Sequence, residues 1–382
     1  MANILSALQP LLFSAARVVP RELTGILGAV DRDFSDQGVA KGDTVRVSVA
    51  PTLTAQNVTP GQVFTVGNDR TPSTVVLTLN QEQEVTWNLK PEEERSLMNA
   101  GVAQDMLAQT IQQGIRTLVN KVELYTYNIA RNAASRAYGT PGTTPFGTVN
   151  DLSDVSNSLK IMLDNGCTVD DDKSLVIDTF AGLNLRGKQA VLFRVNEAGT
   201  DDLLRRGVLG SLQSFAFRES AAIAPVAKGT GTAYTSNATG LPIGTTSIPL
   251  ITGSGTILAG DSVTFAGDTN KYVVTTGIAA PGTIVIQEPG LRVALAASAI
   301  ALTVGNIATA NIALRRNAIK TVIRPSLQPI GALADQMTVS DPQTGLTFLL
   351  LRVPGNAITS WYMRIVYDAF APNPYAIAQL LG

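Results

Sequence analysis

The chain has 382 residues, of which 45% are hydrophobic and only 15% charged, and its formal net charge is −1. This length predicts about two or three folding units, and the balanced charge argues against a dedicated nucleic-acid-binding domain. Histidine is absent and Cys167 is the single cysteine. These counts exclude Ser-His-Asp and Cys-His catalysis, thiolate zinc sites, His-ligated metals and an internal disulfide. We therefore predict no catalytic residue, no metal ligand and no cofactor-binding residue.

An uncharged amphipathic segment opens the chain. Its apolar side chains recur at helical spacing, with Pro10 as a predicted kink and Pro20 as a predicted stop. Because no Lys or Arg lies within residues 1–16, we expect no secretory signal. No apolar run in the chain reaches the roughly 20 residues that cross a bilayer, so we expect no membrane partner. The apolar side chains of this segment are Ile4, Leu5, Leu8, Leu11 and Leu12.

Residues 31–89 have the composition of β-strands. Residues 44–49 alternate strictly between polar and apolar side chains, and residues 74–79 follow after a middle that is rich in Pro, Gly and Asn. The two runs predict a long β-hairpin. Such a hairpin is marginally stable alone, so it must lie on the same molecule or on a neighbour.

A long helix is predicted after Pro91-Glu92-Glu93-Glu94, where a proline and three acids suit a first helical turn. Apolar residues then recur at spacings of four and three, which describe one continuous stripe. The predicted helix has about 35 to 40 residues and forms a rod of roughly 50 to 60 Å. A stripe of this kind usually belongs to an intramolecular core, but the predicted length favours assembly with other molecules. The stripe consists of Leu107, Ile111, Ile115, Leu118, Val122, Tyr125, Ile129 and Ala133.

An α+β pattern follows this helix and returns near the end of the chain. Asn165-Gly166 predicts the stop of the first helix in this pattern. The predicted helical segments are 152–163 and 183–193, and the predicted strands are 174–180, 312–314, 318–323, 347–353 and 361–367.

Gly, Thr, Ser and Ala dominate the region between these two α+β parts, and charges almost vanish from it. Short strands are predicted at turn-punctuated intervals over 247–250, 262–265, 272–274 and 283–286, which is typical of a small barrel or sandwich. We interpret the region as an inserted β domain. The charged residues between positions 226 and 310 are Lys228, Asp261, Asp268, Lys271, Glu288 and Arg292.

The sharpest chemical motif is Gly182-Leu183-Asn184-Leu185-Arg186-Gly187-Lys188-Gln189, which almost matches a phosphate-binding loop. The pattern needs Ser or Thr after the lysine to hold magnesium, and Gln189 is a poor substitute. We interpret this segment as an ordinary strand-to-helix connection.

Three other charged groups receive structural interpretations. Asp170-Asp171-Asp172 lacks the spacing of a calcium loop and is interpreted as a solvated turn. Five glutamates border the hairpin and the long helix. We interpret them as residues that complement the helix dipole and keep the hairpin soluble, and not as the paired catalytic carboxylates of a glycosidase. The arginine pairs at 205–206 and 315–316 are expected on a solvated face or opposite another subunit's carboxylates. The five glutamates are Glu82, Glu84, Glu92, Glu93 and Glu94.

The order of these parts resembles the major capsid (coat) proteins of tailed bacteriophages, which have the Hong Kong-type capsid fold. The resemblance is greatest to the coat proteins of short-tailed Salmonella-type phages, which carry an inserted β-barrel. Residues 258–267, Leu-Ala-Gly-Asp-Ser-Val-Thr-Phe-Ala-Gly, are similar to a segment of that insertion. Residues 364–367 and 373–377 are similar to the closing strand and tail of those coats.

The resemblance implies an α+β capsid fold with four parts. An N-terminal arm would span residues 1–30 and an extended β-hairpin loop residues 31–90. The capsid core, with its spine helix and its peripheral and axial domains, would be discontinuous over 91–225 and 309–382. A small inserted β-barrel would span 226–308, which is shorter than expected for such coats, and we expect no covalent crosslinks between subunits.

The resemblance also implies a structural, non-enzymatic function. The chain would assemble in the host cytoplasm into the icosahedral head shell of a virion that encloses double-stranded DNA. Its partners would be its own copies in hexamers and pentamers, a scaffolding protein, a portal protein and packaged DNA through non-specific contact. Two alternatives come from other classes: a β-rich surface protein that binds a glycan or receptor, and a carboxylate-based glycosidase.

Overall fold

The computed structural model describes residues 14–16, 18–35, 37–49, 61, 73–99, 103–167, 172–189, 210–327, 335–355 and 358–382. The predictions made for residues 1–13, for the middle of the hairpin, for Asp170 and Asp171 and for the 205–206 arginine pair lie outside these ranges. The described residues form a mixed α+β structure.

Five α-helices have described bounds, and all of them lie before residue 189. The long helix, α3, has 30 residues, which corresponds to a rod of about 45 Å. It is shorter than predicted because the acidic turn at 91–94 belongs to the helix before it, whose described bounds end at Asn99. The helices are α1 (Ile26–Ala29), α2 (Pro91–Asn99), α3 (Ala103–Asn132), α4 (Ser153–Asp164) and α5 (Thr179–Lys188).

The strands belong to three hydrogen-bonded sets. In chain order they are β1 (Asp31–Phe34), β2 (Thr44–Val49), β3 (Ser73–Thr78), β4 (Gln81–Leu89), β5 (Arg136–Gly139), β6 (Lys173–Ile177), β7 (Ser211–Leu212), β8 (Phe215–Glu219), β9 (Pro225–Val226), β10 (Thr232–Ser236), β11 (Ser247–Ser254), β12 (Ser262–Phe265), β13 (Lys271–Thr276), β14 (Thr283–Ile286), β15 (Ala301–Val304), β16 (Ala308–Arg315), β17 (Lys320–Arg324), β18 (Asp335–Ser340), β19 (Thr347–Pro354), β20 (Thr359–Phe370) and β21 (Ile377–Leu381).

A six-stranded sheet runs in the order β1-β17-β20-β19-β18, and β4 also pairs with β20. On β20, alternate residues Trp361, Met363 and Ile365 are buried against α3, as the period of two in a strand requires. Strands β1 and β4 fall in the predicted extended loop, but both are bonded into this sheet. Their partners β17 and β20 lie more than 200 residues away, so local patterns could not reveal this pairing.

Strands β2 and β3 form the predicted antiparallel hairpin, with Arg46 opposite Val76. The base of the hairpin rests on the six-stranded sheet, because Leu77 packs with Val322 and Val366. Val76 is exposed further along the ribbon. The hairpin therefore lies on its own molecule at its base and presents apolar side chains to solvent beyond it.

A second sheet is built around β16, which lies between the antiparallel strands β21 and β6. Strands β5 and β8 extend it on either side through parallel pairing. The C-terminal half of α3 packs on this sheet through Tyr127 and Ala130, while Ile111 and Leu118 of its N-terminal half pack on the six-stranded sheet. Most of the predicted stripe thus lies in intramolecular cores, the first of its two interpretations.

A closed barrel follows β9 and belongs to the same hydrogen-bonded set as the second sheet, because β13 pairs with β5. Its six antiparallel strands run in the order β12-β15-β10-β11-β14-β13, and the pairing of β12 with β13 completes the ring. A separate hydrophobic cluster fills it, including Tyr234, Phe265 and Tyr272. The four predicted strands are present. Strand β10 was missed because register shifts and the positive φ of Ala233 interrupt its alternation.

Candidate functional site

Residues 18–30, here called the N-terminal segment, run along α3 and contact both large sheets. Three carboxylates hold the segment: Glu22 within it, Glu123 on α3 and Asp341 in the turn between β18 and β19. Each of them accepts more than one hydrogen bond. The segment is therefore fixed by directional polar contacts as well as by apolar packing.

Glu123 is buried, with 2% of its surface exposed. Its two carboxylate oxygens accept the backbone amides of Ile26 (2.8 Å) and Leu27 (2.9 Å). The hydroxyl of Ser220, just after β8, donates to it at 2.7 Å. Burial raises the pKa of Glu123, and these donors partly offset that effect. One side chain of α3 thus joins the N-terminal segment to the second sheet.

Glu22 pairs with the guanidinium of Arg116 on α3 and accepts the side-chain amide of Asn120 at 2.8 Å. The hydrogen bonds from Arg116 favour the ionised carboxylate and lower its pKa to about 2. Both partners of the ion pair keep about a third of their side-chain surface exposed. The pair fixes the position of the segment, and we expect its net contribution to stability to be modest.

Arg21 joins the segment to the far edge of the six-stranded sheet. Its guanidinium donates to Asp341 at 2.6 Å and to the side-chain oxygen of Gln112 on α3 at 3.1 Å. Asp341 also accepts the backbone amide of Thr344, which closes the β18–β19 turn. Among the described residues, the Nε of Arg21 has no hydrogen-bond partner although it is buried.

Two cavities flank the segment. The larger, of about 670 Å³, lies between the segment, α3 and the β18–β19 turn. The smaller, of about 250 Å³, lies over α3 between Leu23 and the 221–222 loop. Glu22, Leu23 and Asn120 line both cavities. The two cavities therefore lie next to each other beside the N-terminal segment.

The near-match to a phosphate-binding loop is helical in the structure, since Gly182 to Lys188 belong to α5. Gln189 is buried and donates to the carbonyls of Phe146 and Thr148. The strand-to-helix connection lies earlier, at Asp178 between β6 and α5, so the interpretation of residues 182–189 as that connection is wrong: the segment is the body and end of the helix. Asp178 caps the helix by accepting backbone amides.

The other singled-out charges fall in separate places. Glu84 pairs with Arg364 across β4 and β20, while Glu82 accepts the hydroxyl of Ser326. Glu93 accepts the amide of Lys90 at the start of α2, which fits its predicted capping role. Among the side chains that the structure describes, Glu82, Glu84 and Glu93 line none of the cavities at residues 16–24, 137–154, 226–262 or 221–222.

Neither a metal site nor a membrane-crossing helix is found in the described ranges. No group of three or more His, Cys, Asp or Glu side chains there is placed to hold a metal ion. No helix in those ranges is long and apolar enough to span a bilayer.

The sequence analysis did not single out Glu123 and Gln112, two of the buried polar residues of α3. They lie eleven residues apart, or three helical turns, in a buried column that also contains Ile115 and Val119. A polar residue that falls in an apolar column at this spacing is a usable signal. The predicted stripe shares Ile115 with this column but otherwise follows the neighbouring one, so it did not include Gln112 or Glu123.

Models of known protein families give no match to the chain, and curated proteins give none either. Solved structures do match. A structure from Mycobacterium phage Che8 has a TM-score of 0.51 at 12% identity and covers 95% of this chain and 92% of its own. The capsid structure of the cyanophage P-SCSP1u has a TM-score of 0.51 at 10% identity, with coverage of 95% and 89%.

The chain therefore has a phage capsid fold. The sequence resemblance implied a tailed-phage capsid fold, and these structural matches confirm that fold.

Proposed function

We propose that this chain is the major capsid protein of a tailed bacteriophage and that its copies form an icosahedral head shell around double-stranded DNA. The observation that supports this most is the match to the cyanophage capsid structure over 95% of this chain and 89% of that one. A match of this extent involves the whole arrangement of sheets and helices. It does not depend on a single motif.

The parts of the chain receive roles in this proposal. Residues 1–30 are the N-terminal arm and 31–90 contain the extended loop, whose projecting part is the β2–β3 hairpin. Residues 91–225 and 309–382 form the core, in which α3 is the spine helix. The six-stranded sheet corresponds to the peripheral domain and the second sheet to the axial domain.

Residues 226–308 are the inserted barrel in this proposal. Its own hydrophobic cluster and closed ring of strands support the assignment. An inserted barrel is also the feature that favours the Salmonella-type coat proteins among tailed-phage capsid proteins.

The proposed function is structural rather than catalytic. A shell of many identical subunits needs only moderate contacts, because several interfaces around each subunit act together. A net charge of −1 lets copies pack closely without strong mutual repulsion. The proposed partners are its own copies in hexamers and pentamers, a scaffolding protein, a portal protein and packaged DNA without sequence preference. The proposed location is the virion, after assembly in the host cytoplasm.

Expression of the full chain alone tests this proposal. Negative-stain microscopy and sedimentation velocity should show shells, sheets or capsomers far larger than a 40.1 kDa monomer. A species that stays monomeric at high concentration, with or without a candidate scaffolding protein, would contradict the proposal. A glycan array on the same preparation should be silent, whereas the alternative surface-protein function predicts binding.

A further inference from the structure

Three arginines from distant parts of the chain lie close together beside α1. Arg32 is on β1, Arg218 is near the end of β8, and Arg316 begins the short turn Arg316–Ala318 between β16 and β17. We propose that this arginine cluster binds phosphate groups of double-stranded DNA. The inference rests on the proposed function, in which packaged DNA is a partner, and it adds the surface that holds the DNA.

Backbone contacts bring Arg316 next to β1. The amide of Asp31, the residue before Arg32, donates to the carbonyl of Ile319 at 3.1 Å. The turn that begins with Arg316 ends just before Ile319. Arg32 and Arg316 therefore lie at the same corner of the six-stranded sheet.

Arg218 reaches the same corner from the second sheet. Its guanidinium covers Gly28 of α1, where an added Cβ would come within 2.6 Å of the Nη1 atom. Gly28 lies only four residues before Arg32, since β1 follows α1 closely. Burial lowers the pKa of Arg32, and the nearby charges of Arg316 and Arg218 lower it further. The three guanidiniums are thus close enough to repel one another.

Three carboxylates near the cluster already have partners within the chain. Glu219 accepts two hydrogen bonds of 2.6 Å from Arg186. Asp31 pairs with Lys320 at 3.4 Å. Glu123, whose charge acts on the cluster, is buried and accepts two backbone amides of α1. None of the three is available to neutralise the exposed side of the cluster.

The two outer arginines of the cluster are exposed. The side chains of Arg218 and Arg316 form no hydrogen bond or ion pair with any residue that the structure describes. Like charges that are held together raise the energy of the free chain, and an anion bound between them lowers it. The cluster therefore favours a partner with several negative charges.

The chemistry of guanidinium groups suits phosphate. Each guanidinium carries five N–H donors in a planar fork, which can bind two phosphate oxygens at once. A DNA duplex carries one charge per about 1.7 Å of its axis, so it presents several phosphates to one cluster. A single carboxylate on a protein partner brings one charge to three guanidiniums. The cluster therefore favours DNA over an isolated acidic side chain.

The contact should not depend on base sequence. The guanidiniums that lie over aromatic rings in the described residues are those of Arg352 and Arg364, outside the cluster. Contacts to phosphate position a protein on DNA but do not read its bases. Duplexes of unrelated sequence should therefore bind equally well, and a strong preference for one sequence would contradict a phosphate site.

Salt-dependent DNA binding by the full chain tests the inference. The anisotropy of a short fluorescent duplex is measured over a series of sodium chloride concentrations, for the native chain and for the Arg218→Gln/Arg316→Gln double variant. Each phosphate contact contributes about 0.9 to the slope of log K against log salt concentration. We expect the double variant to bind more weakly at low salt, with a slope smaller by about 2. An unchanged slope, or a native chain that does not bind, would overturn the inference.

Arg46→Gln/Arg95→Gln is the matched control. It removes the same charge from two exposed arginines outside the cluster, Arg46 on β2 and Arg95 on α2. We expect this control to keep the slope of the native chain. An equal loss of slope in both double variants would show a general effect of net charge and would overturn the inference.

A third variant separates phosphate binding from a structural role of the two arginines. Arg218→Lys/Arg316→Lys keeps both charges, and a lysine still binds phosphate as a point charge. We expect it to keep most of the salt slope. Urea denaturation should show that the glutamine variant is at least as stable as the native chain, because repulsion is relieved. A destabilised glutamine variant together with a lysine variant that has lost its slope would show a structural role and overturn the inference.

Microscopy of the same preparations separates this inference from the proposed function. A glutamine variant that binds DNA normally but forms no shells would assign the cluster to carboxylates of a neighbouring copy and overturn the inference. Shells from both chains with equal DNA binding would also overturn it and leave the capsid function standing. A specific loss of DNA binding, in chains that never form shells, sheets or capsomers, would support the phosphate site and contradict the capsid function.

Discussion

Ile26 and Leu27 are adjacent in α1 but pack into different hydrophobic cores. Ile26 lies with Tyr127 and Val30 in the core of the second sheet, whereas Leu27 lies with Val122 in the core under the six-stranded sheet. Glu123 accepts the backbone amides of both residues. The N-terminal segment therefore links the cores of the two large sheets at the level of single residues.

Glu123→Ala should weaken this link. The substitution leaves the amides of Ile26 and Leu27 unpaired in a buried place, and each such group costs about 1–3 kcal/mol. We expect the free energy of unfolding to fall by about 2–4 kcal/mol, measured by urea denaturation of the unassembled chain. Thr117→Ala, on an exposed position of the same helix, should change it little. Equal stabilities of the two variants would contradict this role of Glu123.

The pH dependence of stability should change in Glu22→Gln. The pKa of Glu22 falls from 4.5 to about 2 because Arg116 donates to its carboxylate. The folded state therefore favours ionised Glu22, which stabilises the fold above pH 4.5, and this contribution is lost as the pH falls through about 2. Denaturation midpoints of native and variant chains should differ near neutral pH and converge at the acid end.

Comparing the native chain with Glu22→Gln separates the effect of Glu22 on the pH dependence of stability from the effect of Glu123. Burial raises the pKa of Glu123, so its effect on stability has the opposite sign: the fold gains stability as the pH falls through that raised value. Both chains retain Glu123, and its effect cancels in the difference. A difference that stays constant down to about pH 2 would show that Glu22 is not held as an ion.

Two glycines of α5 should respond oppositely to alanine. A Cβ at Gly182 would collide with the carboxylate of Glu219, which Arg186 holds through two hydrogen bonds of 2.6 Å. A Cβ at Gly187 meets nothing within 4 Å. Gly187→Ala should therefore stabilise the chain by about 0.5–1 kcal/mol, whereas Gly182→Ala should destabilise it. Thermal denaturation of both variants measures this, and a stabilising Gly182→Ala would contradict the packing described.

The barrel should lose stability independently of the six-stranded sheet. Phe265 is buried in the cluster of the barrel, and Phe348 is buried between the sheet and α3. Truncation of either phenylalanine to alanine costs about 3–5 kcal/mol. In hydrogen exchange, Phe265→Ala should speed exchange over residues 232–304, and Phe348→Ala should speed it in β18 to β20. Faster exchange throughout the chain in both variants would indicate a single cooperative unit.

Local chemistry explains which elements could be predicted. Strand β12 was found because Val263 and Phe265 alternate with polar residues and are the ones that enter the barrel core. The end of α4 was found because Gly166 adopts a φ of +90°, which the stop of a helix requires. These elements carry their own signals within a few residues.

The remaining elements depend on distant partners. Strand β5 begins just beyond the predicted helical stripe because the hydroxyl and amide of Ser135 both donate to the carbonyl of Ile377, more than 200 residues away. The polar contacts of the N-terminal segment are equally non-local, since Arg21 meets Asp341 across the chain. A single sequence contains both residues of such a pair but gives no sign that they meet.

Val226 and Ala308 are directly paired where β9 meets β16, so the chain enters and leaves the barrel at neighbouring points. A tight turn could therefore replace residues 227–307 without changing the course of the chain on either side of the barrel. If copies of the chain form the proposed shell, shells of such a shortened chain would show what the barrel contributes to their curvature. The same junction is a place where a foreign domain with close termini could be inserted.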